Sequence, residues 1–83
     1  MPVHTHEFSE TYNGLVGFGL NRETNENTVI YYLQKFSDDA LMAKMRIRMD
    51  DDDLAALFDL LSGLLRKHLS EDEYHALFLK ENH

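Results

Sequence analysis

The stretch from Asp50 to Leu69 constrains this chain more than any other. Leu54, Leu57, Phe58, Leu61, Leu64 and Leu65 recur at three- and four-residue spacing, which gathers them on one face of a helix turning about 100° per residue. Leu60 and Leu69 sit at the edges of that face, and Asp59, Ser62, Gly63, Arg66 and Lys67 fall opposite. The helix start is well signalled. Asp50 is placed to cap the amide of Asp53, and Met49 is placed to pack on Leu54 as a hydrophobic staple. The aspartates suit the positive end of the helix dipole, and Arg66 and Lys67 suit the negative end. A helix with so sharp an apolar face needs a partner surface.

The residues before it are expected to supply that surface as a sheet. From Ala40 to Met49 the chain alternates, with Leu41, Ala43, Met45, Ile47 and Met49 on one side and Met42, Lys44, Arg46 and Arg48 on the other. A helix capped by Ser37 competes for the first half, but the period of two persists to Met49 and favours a strand. Thr28 to Phe36, rich in β-branched and aromatic residues, reads as a central strand. Asn13-Gly14 signals a type I′ hairpin between Phe8–Tyr12 and Leu15–Leu20. Gly17 and Gly19 on one side of that return strand mark a close approach or a bend. After the central helix, Ser70 and Glu73 form a capping box that opens a second helix with Tyr74, Leu77 and Phe78 as its apolar stripe. The fold class expected is α+β: an antiparallel three- or four-stranded meander followed by two C-terminal helices packed on one face. Residues 1–83 form one small domain, with a sheet half at about 7–49 and a helical half at 50–83.

Composition narrows the function classes. At 43% hydrophobic and 11% aromatic the chain has the makings of a folded domain. It has no cysteine, which removes disulfides and thiolate-bound zinc as supports for so small a core. That leaves tight packing or self-association. No apolar run is long enough to span a membrane, and no signal-peptide region precedes the domain, so a cytoplasmic protein is expected. His4 and His6 lack a third ligand, and the contiguous Asp run lacks the alternation and glycine of a calcium loop, so no metal or cofactor is expected. His68 falls within the apolar arc without any accompanying catalytic motif. No serine, histidine and acid are spaced as a triad, and the chain is expected not to be an enzyme.

Charge points to surfaces instead. The net charge is −7, carried mostly by residues 50–83, whose nine acidic and three basic residues give −6. Asp51, Asp52 and Asp59 are the candidate partner-binding acids, suited to a protein with a basic surface. Ala55, Ala56, Ser62 and Gly63 form a small-residue surface beside them, where another backbone has room, and a homodimer is expected. An alternative uses the sheet: Tyr31, Lys35, Lys44, Arg46 and Arg48 would share its outer face as a single-strand nucleic-acid surface. Over roughly residues 28–69, the order of strands then helix resembles the PC4 coactivator family of single-stranded-DNA-binding dimers. In size and charge the chain resembles phage and mobile-element inhibitors of host proteins, including anti-CRISPR and anti-restriction proteins. The leading expectation is therefore a small acidic interaction module.

Overall fold

The computed structural model describes residues 5–81 and contains no strand among them. The protein is helical, so the expected α+β meander is overturned, and each segment read as a strand has a local reason for its departure. The described residues divide into two units, Thr5–Ile47 and the part that begins at Arg48.

In the first unit α1 covers Phe8–Thr11, α2 covers Arg22–Phe36, and α3 begins at Asp39 and runs to Arg48. The start of α2 lies in residues whose polarity suggests a loop. The Asn21 side chain accepts the Thr24 amide at 2.8 Å, and Arg22 pairs with Glu26 at 2.6 Å across one turn. With that cap in place, Thr28 to Phe36 continues as helix. Preference for strand depends on packing against neighbouring strands, and none are present among the described residues. At α3, Asp38 rather than Ser37 provides the cap, its carboxylate accepting the amides of Ala40 and Leu41 at 3.1 and 3.2 Å. Ala, Leu, Met, Lys and Arg are the strongest helix formers, and α3 is built almost wholly from them. On a helix the alternating apolar residues no longer share a face, and Ile47 is 80% exposed.

The hairpin is replaced by an irregular segment held down by polar side chains. A type I′ turn needs positive φ at both central residues. Among the described residues only Gly19 (φ 106°) and Lys80 (φ 59°) are positive, so Asn13-Gly14 makes no such turn. Instead the Tyr12 hydroxyl donates to the Leu15 carbonyl at 2.6 Å. A Cβ on Gly14 would lie 2.6 Å from that hydroxyl oxygen, so a larger residue there would have to displace the Tyr12 ring. Thr28 clasps Gly17: its hydroxyl accepts the Gly17 amide at 3.0 Å and donates to the Gly17 carbonyl at 3.1 Å. The Gly19 amide donates to the Asn25 side chain at 2.8 Å. Gln34 accepts the Ser9 amide of α1 at 2.9 Å, and Phe8 stacks on Tyr12, which tilts against Tyr31.

In the second unit α4 covers Asp51–His68, as its pattern predicts. Its capping box is complete: Asp50 accepts the Asp53 amide at 2.8 Å and Asp53 accepts the Asp50 amide at 3.2 Å. The chain turns extended at Leu69, and Ser70 and Glu73 form the second box around the single turn α5, Glu71–Glu73. The helix then widens into a π-helical turn, Tyr74–Phe78, in which Tyr74 and Phe78 stack at 5.3 Å. Lys80 adopts the left-handed conformation, and the Glu81 amide closes onto the His75 carbonyl at 2.9 Å.

Burial departs furthest from expectation. Among the described residues Thr28 alone is buried, 5% exposed, and no apolar side chain is. The described residues form no sheet to cover α4, and Leu54, Phe58, Leu60, Leu61 and Leu64 all remain exposed, Phe58 at 69%.

Candidate functional site

The faces of α4 provide the clearest functional geometry. The run of four aspartates separates into two roles. Asp50 and Asp53 are engaged in the cap, whereas the side chains of Asp51 and Asp52 are exposed and make no hydrogen bond or ion pair among the described residues. Asp59 is exposed and unpaired in the same sense. Asp52 and Asp59 are seven residues apart, hence on one row of the helix and separated by about 10 Å along its axis. Asp51 lies about 100° round the helix, on the flank shared with Phe58. Ala55, Ala56, Ser62 and Gly63 lie between the acids and around them, so little projects from the backbone there. A Cβ built on Gly63 meets nothing within 4 Å, so that part of the face is open.

The basic alternative is divided differently. Tyr31 and Lys35 are neighbours on α2, with Lys35 Nζ 5.1 Å from the centre of the Tyr31 ring in a cation–π contact. Lys44, Arg46 and Arg48 lie on α3, where Lys44 and Arg48 share a side and Arg46 is about 200° from Lys44. The single face these residues would have formed requires the strand that the structure replaces with a helix.

Sequence reasoning missed the C-terminal closure. His75 Nδ1 lies 2.5 Å from a Glu81 carboxylate oxygen. That hydrogen bond, reinforced by the charges of Glu81, Glu71 and Asp72 against a smaller desolvation effect, raises the His75 pKa. Hydrogen bonds from the Ser70 backbone and hydroxyl lower that of Glu73. The capping box was legible as a motif, but the pairing of His75 with Glu81 depends on the π turn and the left-handed Lys80, which no spacing rule announces.

An open groove of about 530 Å³ lies in the first unit, with His6, Gln34, Lys35 and Asp38 among its walls. One of about 460 Å³ lies beside the end of α4, between Phe58, Leu65, Arg66 and Tyr74. Among the described residues no three histidine or carboxylate side chains are grouped to hold a metal ion, and His4 lies outside them. No helix among them is long and apolar enough to cross a membrane. The chain matches no family model, no curated protein and no solved structure.

Proposed function

We propose that the protein is a non-enzymatic interaction module that docks a basic protein surface through the outer face of α4. The observation that carries this reading is the row of Asp52 and Asp59, exposed and unpaired among the described residues, set among small side chains and flanked by Asp51. Unpaired surface carboxylates give a partner of opposite charge both long-range attraction and hydrogen-bond acceptors. The −6 carried by residues 50–83 adds to the steering and repels nucleic acid. Size and charge suit an inhibitor of a host protein of the kind phages and mobile elements carry, with the acids mimicking a charged ligand of that host protein.

The test starts with capture of a partner from the native host by the full chain, followed by kinetics with the captured protein. Asp51→Asn, Asp52→Asn and Asp59→Asn together should weaken binding at low salt, mostly through a slower on-rate, and the difference from the wild type should shrink as salt rises. Circular dichroism checks that α4 keeps its helix. Unchanged affinity in the triple variant would remove the acidic face from the mechanism. Micromolar or tighter binding to an unstructured oligonucleotide at physiological salt would replace this reading with nucleic-acid binding.

A further inference from the structure

We infer that the apolar face of α4 is an interface with α4 of a second copy of this chain, the two helices running antiparallel. This goes beyond the proposed docking of a basic partner and does not rest on it, because the apolar stripe lies opposite the row of Asp52 and Asp59. The stripe has the heptad form: Leu54 and Leu61 fall at a positions, Leu57 and Leu64 at d, and Phe58 and Leu65 at e. Antiparallel pairing sets Leu54 against Leu64 of the other copy and Leu57 against its Leu61, so the four layers repeat symmetrically about a dyad near residue 59. Phe58 and Leu60, the two most exposed apolar residues of α4, then flank that dyad on either side.

Charge selects the direction. Asp53 and Lys67 both fall at g positions, and antiparallel register brings each beside the other's counterpart in the second copy. The acidic start of one α4 lies level with the basic end of the other, and the helix dipoles oppose. A parallel pair would crowd the aspartates of both copies at one end. Asp52 and Asp59 lie at f positions and stay outside in the pair, which would present two acidic rows.

The chain has no cysteine, so single cysteines report cleanly. In the full chain, Leu60→Cys should be joined to its copy by a short bis-maleimide linker. Lys67→Cys should not, because antiparallel register separates the two positions by about 24 Å along the axis. Wild-type protein should sediment at twice the single-chain mass at tens of micromolar and fall towards the single-chain mass on dilution. Leu64→Glu should remain at the single-chain mass with its helical circular dichroism retained, and in the Leu60→Cys background it should remove most of the cross-link. Cross-linking of Lys67→Cys would overturn the direction. Absence of the Leu60→Cys cross-link, together with a single-chain mass throughout, would overturn the interface and leave α4 to be covered by residues of its own chain. If Leu64→Glu unfolds, the two cysteine variants decide alone. None of these measurements needs the basic partner, so failure here and failure of the acidic face are told apart.

Discussion

Thr28 occupies the one buried position among the described residues, and its hydroxyl does there what a neighbouring strand would otherwise do, pairing both backbone groups of Gly17. Thr28→Val keeps the shape and removes both bonds. It should cost about 1–3 kcal/mol in urea melts, the usual net contribution of two hydrogen bonds, while Thr28→Ser should recover much of the loss. A valine variant as stable as the wild type would show that the clasp contributes nothing. At this scale the sequence was legible where a motif closes on itself within a few residues, as Asp50 with Asp53 and Ser70 with Glu73 do. It misled at Asn13-Gly14, because the hairpin reading assumes positive φ at both residues and the Tyr12 hydroxyl offers the backbone another partner. The reach of Thr28 to Gly17, eleven residues apart, has no local signature.

Among the elements, α4 was legible and α2 and α3 were not, and the difference is physical. In α4 helical periodicity, capping and charge placement all agree. In α3 they conflict: side-chain alternation points to a strand, while composition and Asp38 point to a helix, and without a neighbouring strand intrinsic propensity and the cap prevail. The acids of the candidate surface were legible from sequence, but the shared face of the basic residues disappeared with the strand that defined it. The C-terminal turn adds a pH dependence. The His75 pKa is raised above its ordinary 6.5, so its contribution to the turn is complete below that value and is lost as pH rises through the raised pKa. Glu73 is lowered from 4.5, so its cap is complete above that value and is lost as pH falls through the lowered pKa. In an NMR titration the His75 ring should titrate above 6.5, and Glu81→Gln should bring its midpoint down. An unmoved midpoint in that variant would assign the shift to another source.

Across the whole molecule the net charge of −7 meets few internal counter-charges: Arg22–Glu26 and His75–Glu81 are the ion pairs among the described residues. Self-repulsion therefore outweighs attraction, and raising salt from about 0.02 to about 0.3 M should raise Tm by a few degrees as the charges are screened. A fall in Tm would show that attractive pairs dominate instead. The leucines and phenylalanines left in contact with water affect calorimetry as well. Heat capacity rises on unfolding chiefly because apolar area becomes newly hydrated, and here less of that area begins dry than in a domain with a fully buried apolar core. The unfolding heat-capacity increment of a single chain should fall below the about 12–15 cal/mol/K per residue of well-buried domains. Its stability curve is then shallow, with a broad thermal transition and little loss on cooling.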